Sequence, residues 1–216
     1  MKTLVTLFLV GFTAGVRVCG QTNPVAANAV SGPAVEKIIC IRHGEKQTNA
    51  YGQLTCKGFN RALALPGVLA GYGPPQFIFA PNPLQRTETK GVCNYIRPLA
   101  TIEPTAVRYG LPVNTQFAFD DIADLEKELM KEDYKTSTVF IAWEHKELRK
   151  FVEKIVKDNN GNFDKVPTNW PGGDYDSIYI VEITRSAGRV SAVFTKSSEG
   201  LNDSLSEDCP GTSTKK

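Results

Sequence analysis

Four consecutive apolar residues, Ile38-Ile39-Cys40-Ile41, stop abruptly at Arg42-His43-Gly44. A run that is apolar at odd and even positions alike fits a strand covered on both faces. A cation, an imidazole and a glycine do not continue such a strand. They suit the carboxyl end of a central one, where open α/β sheets bind ligands. A guanidinium can fork onto an oxyanion. An imidazole that is neutral near pH 7 can act as nucleophile or base. Gly44 lets the backbone turn and a ligand come close. On these residues alone the competing reading is a surface turn.

The rest of the chain is read outward from that strand. Gln76–Ala80 and Val139–Trp143 are two more apolar runs. Thr55 is an N-cap for a helix reaching about Leu65, with Leu63, Leu65 and Val68 as its apolar surface and Pro66 bending or ending it. Residues 81–96 read as a long loop. Arg97-Pro98 opens a helix that Pro104 is expected to break after two turns. Leu111–Phe119 is extended, and Asp120 or Asp121 caps a helix carrying Ile122, Leu125, Leu129 and Met130. Leu148, Phe151, Val152, Ile155 and Val156 share one helical face. Ser177–Thr184 and Val190–Phe194 read as a hairpin turning at Ala187-Gly188. Alternating strands and helices predict a three-layer α/β/α sandwich with a mostly parallel central sheet, its strands' carboxyl ends on one edge. Phe77, Phe79, Phe140 and Trp143 are assigned to the core, and Trp170 and Tyr175 are candidates for a pocket rim.

Length and composition, 216 residues and 41% hydrophobic, fit one globular domain at 35–196. Residues 1–20 have a basic start at Lys2 and an apolar run too short to span a bilayer. With small residues before Gln21, they read as a secretory signal peptide. A lipid on Cys19 is the alternative. A small, polar, proline-bearing linker follows at 21–34, and a polar tail at 197–216. Removing Lys2 and Arg17 from 25 basic residues leaves 23 against 23 acidic ones, which gives no argument for nucleic acid or an anionic membrane. A secreted or periplasmic location permits disulfides. Cys40 sits inside the apolar strand and reads as a buried thiol. Cys56–Cys209 would staple the tail, and Cys56–Cys93 is the rival pairing. With two histidines and no CxxC pair, a zinc site is not indicated.

Both histidines fall at the end of an apolar strand, His43 after the first and His145 after the third. Arg97 starts a helix, and a helix N-terminus favours anions. Two arginines, two histidines and that N-terminus on one edge make a pocket for a dianion, of which phosphate is the obvious example. Neutral His43 would attack phosphorus while cations hold the equatorial oxygens. A carboxylic acid would protonate the leaving oxygen. Neither metal nor cofactor is required.

The Arg42-His43-Gly44 stretch after an apolar strand resembles the histidine phosphatase superfamily, whose fold is phosphoglycerate-mutase-like. The likeness runs from about Ile38 to Ile183. Asn49 stands in the loop where that family often has an asparagine. Leu54-Thr55-Cys56-Lys57-Gly58 resembles its LTxxG, followed by Arg61-Ala62. The stretch from Arg97 through Thr101 and Ala106 to Gly110-Leu111-Pro112-Val113 matches the helix that carries the family's second arginine. The resemblance therefore implies phosphate contacts from Arg42, Gly44, Asn49, Arg97 and His145. Arg86, in a stretch similar to the family's SPLxRA, is the alternative to Arg97. Lys146 stands where many members have glycine and others an aspartate acid. Asp120 is the residue carried over as acid, with Asp121 beside it and Glu144 a neighbour of His145. As adjacent strand residues, Glu144 and His145 are expected to point to opposite faces. Glu45 and Lys46 adjoin the site and read as solvated loop residues or substrate contacts. The implied function is an exported phosphomonoesterase acting on a small phosphorylated substrate. A phosphotransferase or mutase, and a non-catalytic phosphate-binding module, are the alternatives.

Overall fold

In the computed structural model the described residues are 34–48, 52–88 and 91–212, with the backbone alone at 85–88 and 91. The expected signal peptide, all but the last residue of the expected linker, and Asn49 lie outside them. The expected fold is the one observed. β1 (Ala34–Arg42) lies inside a six-stranded sheet. The order is β5 (Val113–Asn114), β2 (Phe77–Phe79), β6 (Thr138–Trp143), β1, β7 (Ser177–Ser186), β8 (Arg189–Ser198). The first four strands run parallel, and β7 and β8 are antiparallel additions.

Successive β1 side chains enter opposite cores. Ile38 and Cys40 pack with α3 (Ile122–Leu129) and α4 (His145–Asp158). Ile39 and Ile41 pack with α1 (Cys56–Leu69) and α2 (Arg97–Tyr109). This two-sided covering is why the strand has no polar alternation. Each fully buried isoleucine is worth about 1.5–3 kcal/mol. Burial also pushes the Cys40 thiol pKa up, as expected of an inert core cysteine.

Thr55 caps α1 by accepting from the Gly58 N–H at 3.0 Å. The helix passes Pro66 and runs to Leu69 rather than stopping near Leu65. Pro66 cannot donate to the carbonyl one turn back, but Leu65 and Leu69 on either side of it are fully buried, and that packing wins. Leu63, expected on the apolar face, is 48% exposed. α2 behaves alike. Pro104 does not break it, since Ile102 and Ala106 are buried around it, and the helix ends at Gly110 in the left-handed conformation.

The expected loop at 81–96 contains a small hairpin, β3 (Gln85–Glu88) with β4 (Gly91–Asn94). Its first strand is polar at every position, so no alternation announced it. The expected extended stretch 111–119 pairs only at Val113 and Asn114. Asp121 is the N-cap residue of α3, but its carboxylate accepts from the Ala118 N–H upstream. The β7–β8 turn is at Ala187 and Gly188, both with positive φ as a tight hairpin turn demands. The described part of the tail, to residue 212, is docked. Asn60 on α1 donates to the carbonyls of Ser206 and Asp208, and Cys56 is joined to Cys209. Among the described residues no helix is long and apolar enough to cross a membrane.

Candidate active site

β1 and β6 are parallel neighbours with Arg42 beside Trp143, and the His43 N–H extends the pairing to the Trp143 carbonyl at 3.0 Å. The two residues that follow Trp143 are Glu144 and His145, so the ends of both strands meet at one corner. His43 is 2% exposed. Its Nδ1 lies 2.8 Å from the Gly44 carbonyl oxygen, which can only accept. Nδ1 therefore carries the proton, and a neutral ring keeps its lone pair on Nε2. Burial, then the Arg97 guanidinium, hold the His43 pKa well below the ordinary imidazole value, and Arg42 adds to this. The Gly44 hydrogen bond and Glu144 oppose it only in part.

Arg42 is 1% exposed, and its Nη1 donates to the carbonyls of Gly172 at 2.7 Å and Asp174 at 3.0 Å. The Tyr175 ring lies 3.9 Å from its guanidinium carbon. Burial works against the Arg42 charge and lowers its pKa. Arg97, the first residue of α2, is likewise buried, 4.8 Å over the Tyr95 ring. Tyr95 stands edge-on to His43, and Phe119 stands edge-on to Tyr95. Thr101, one turn after Arg97, accepts from the Gly44 N–H at 2.9 Å and donates to the Arg97 carbonyl at 2.8 Å. One side chain thus ties the start of α2 to the residue after His43.

Packing alone already requires a glycine at 44. A Cβ there would lie 2.7 Å from the Gly58 carbonyl oxygen, and one on Gly58 would lie 2.4 Å from that of Glu45. The two glycines let α1 press onto the loop that carries His43. The Glu45 carboxylate belongs to a second buried cluster. Arg61, fully buried, donates from Nε and Nη2 to the two Glu45 oxygens at 3.0 and 2.8 Å. It also reaches Asp176, Glu199 and Asn202. Burial opposes the Arg61 charge, but Glu45 and Glu199 outweigh it and raise its pKa. Burial pushes the Glu199 carboxyl up to about 8 despite Arg61, with Asp176 and Glu45 adding to the rise. Lys46 is exposed.

Glu144 is not a strand residue with its side chain turned away from that of His145. It is the N-cap of α4, and its Oε2 accepts from the N–H groups of Lys146 at 2.8 Å and Glu147 at 2.9 Å. Its Oε1 lies 2.7 Å from His145 Nδ1. The capping conformation folds the side chain back over its own helix start, so alternation between faces does not apply. Burial would raise the Glu144 pKa, but the bonds from His145 and the two N–H groups hold it down at about 2. Asp120 is exposed on the approach to α3, with the neighbouring Phe119 carbonyl accepting from Trp143 Nε1 at 2.7 Å. Asp121 is also exposed, and Arg86 is described only as part of the β3 backbone. Trp170 is core, stacked on Tyr179, rather than rim. Tyr175 does reach the corner.

The structure therefore brings together Arg42, His43, Gly44, Arg97, Glu144 and His145. Sequence reasoning missed Tyr95 and the link through Thr101. The helical spacing of Arg97 and Thr101 was the available signal for the second.

No protein-family model matches the chain, and no curated protein matches its sequence. Solved structures do share its fold. One, from Nakamurella multipartitia and assigned as the phosphohistidine phosphatase SixA, is matched over 76% of this chain and 96% of its own. The identity is 14% and the TM-score 0.50. A mycobacterial glucosyl-3-phosphoglycerate phosphatase is matched over 74% of this chain, at 13% identity and a TM-score of 0.50. The match covers 97% of its native chain and 95% of the chain in complex with inorganic phosphate. At such identities the likeness establishes the fold.

Proposed function

We propose that a chain with this fold and this corner is an exported phosphomonoesterase that works through a phosphohistidine on His43. The carrying observation is the buried His43 ring, with its Nδ1 proton committed to the Gly44 carbonyl and two buried arginines, Arg42 and Arg97, beside it. A phosphate dianion supplies the negative charge that this corner suits. His43 Nε2 forms a bond to phosphorus as the ester P–O bond breaks. Arg42, Arg97 and His145 hold the equatorial oxygens, and Asn49 contributes from the neighbouring loop. The departing oxygen takes a proton from Asp120, whose neighbour Phe119 is bonded to the end of β6, and leaves as an alcohol. Water then gives a proton back to Asp120 as its oxygen attacks phosphorus, and the N–P bond breaks to release phosphate and the free imidazole. The fold shared with a sugar-phosphoglycerate phosphatase supports the reaction class. The Cys56–Cys209 disulfide supports an oxidising compartment, in keeping with residues 1–20 acting as a signal peptide.

The test is rapid quenching with labelled phosphate ester. A label stable to alkali and lost in mild acid should map to His43, and His43→Ala should lose both label and turnover. Label on His145, or full activity in His43→Ala, would overturn the mechanism.

A further inference from the structure

The two histidines of this corner stand in opposite surroundings. His43 has cations beside it, and its Nδ1 meets a neutral carbonyl. His145 has a carboxylate, Glu144 Oε1, 2.7 Å from its Nδ1. We infer that Glu144 is a positioning residue: through Oε1 it fixes the His145 ring with a proton on Nδ1, so that a second proton, taken up beside a phosphate dianion, sits on Nε2 and is presented to the transferring phosphoryl group. This deepens the proposed phosphatase reading and rests on it.

The geometry gives Glu144 little freedom to do otherwise. Its second oxygen is pinned by the Lys146 and Glu147 N–H groups at the start of α4. The carboxylate cannot rotate away without losing two charge-assisted hydrogen bonds. Glu144 and His145 side chains are only 15% and 12% exposed, so solvent screens the pair weakly. The two backbone N–H groups, with the His145 ring 2.7 Å away, keep the carboxyl ionised. With Nδ1 turned to the Glu144 carboxylate, the second proton of a cationic ring can only be on Nε2, which is then a donor. A ligand histidine oriented by a carboxylate follows the same logic in metal sites, where removing the carboxylate costs about 10–100-fold. Among the described residues, the other charged or titratable groups at this corner include Arg42 and His43 at the end of β1 and Arg97 at the start of α2. Tyr95 and Tyr175 have their rings over the two arginines, Asp174 lies near Arg42, and Lys146 and Glu147 belong to α4 itself. Glu144 acts on Arg42 and His43 as well as on His145.

Two variants distinguish positioning from capping. Glu144→Asn keeps a good N-cap and removes the charge. Glu144→Asp keeps the charge on a shorter arm. In Glu144→Asn, kcat should fall about 10–100-fold with KM changed little, and the alkaline limb of the pH–rate profile should move to lower pH. Glu144→Asp should recover part of kcat and move the limb back. The titration of His145, followed by NMR of its imidazole nitrogens in the intact protein, should show the same downward move in Glu144→Asn. Native kcat and an unmoved alkaline limb in Glu144→Asn, or an unchanged His145 titration, would reduce Glu144 to a helix cap and overturn the inference. A wild-type protein that turns over no phosphate ester sinks the phosphatase reading instead, and the NMR titration still decides the role of Glu144.

Discussion

Arg42 and Arg61 are both fully buried guanidiniums, one on each side of the His43–Glu45 turn, and they do opposite work. Arg61 is surrounded by acid. Glu45 grips it with both oxygens, Asp176 and Glu199 join from the far end of the chain, and Asn202 completes the set. Arg42 donates to backbone carbonyls and lies against an aromatic face, with Arg97 and His43 nearby. The lesson concerns where compensation comes from. A buried cation must be balanced somewhere. In the Arg61 cluster the protein supplies the anions and the result is a fastening. At the Arg42 corner backbone carbonyls hold the guanidinium, Glu144 and Asp174 favour its charge, and in the proposed function a phosphate joins them.

Three substitutions test this contrast. The largest effect is expected from Arg61→Met, which leaves three carboxylates without their shared cation. Unfolding free energy should fall by about 3–5 kcal/mol, read by urea denaturation, while vanadate affinity of the folded protein changes far less. A variant with near-native stability would show that the Arg61 cluster is not a fastening. Next is Arg97→Ala. It should weaken vanadate binding by about 1.5–3 kcal/mol, measured by calorimetry, and far more than Arg86→Ala does. Equal losses, or the reverse order, would mean that the second phosphate arginine is Arg86.

The smallest effect is a pH slope. Glu199 is neutralised more readily when folded, with its carboxyl raised from 4.5 to about 8. Its contribution to stability is therefore present below about pH 4.5 and is lost as pH rises toward 8. Glu36, raised to about 7 by burial against Arg185, acts in the same direction. One such proton gives a slope of at most ~1.4 kcal/mol per pH unit. Glu199→Gln should flatten the decline in melting temperature between pH 5 and 8. An unchanged decline would assign it to other groups.

Much of the corner around His43 was legible in the sequence because its parts are local. Arg42 and His43 end one apolar run, His145 follows another, and Arg97-Pro98 carries its own helix-start signal. The Thr55 cap and the Ala187-Gly188 turn were legible for the same reason. The Arg61 cluster was not, because Glu45, Asp176 and Glu199 come from three distant segments and each alone reads as a surface acid. Pro66 and Pro104 misled since the rule they obey is local, whereas the burial of Leu65, Leu69, Ile102 and Ala106 that overrides it is tertiary. Glu144 misled because its place at a helix start, rather than in a strand, decides where its carboxylate goes.

The central place of β1 has a consequence for how the chain reaches this structure. Ile38–Ile41 is among the most hydrophobic stretches of the sheet, and its neighbours are β6 and β7, the first of them roughly 100 residues later in the chain. As the polypeptide is made, that strand exists long before either partner does. It must wait, sticky on both faces, through the synthesis of α1, α2 and α3. Sheets closed by such distant pairings form slowly, and the waiting segment is exposed to misassociation meanwhile. Holding that one apolar tetrad apart from other chains is the task that folding sets for the cell.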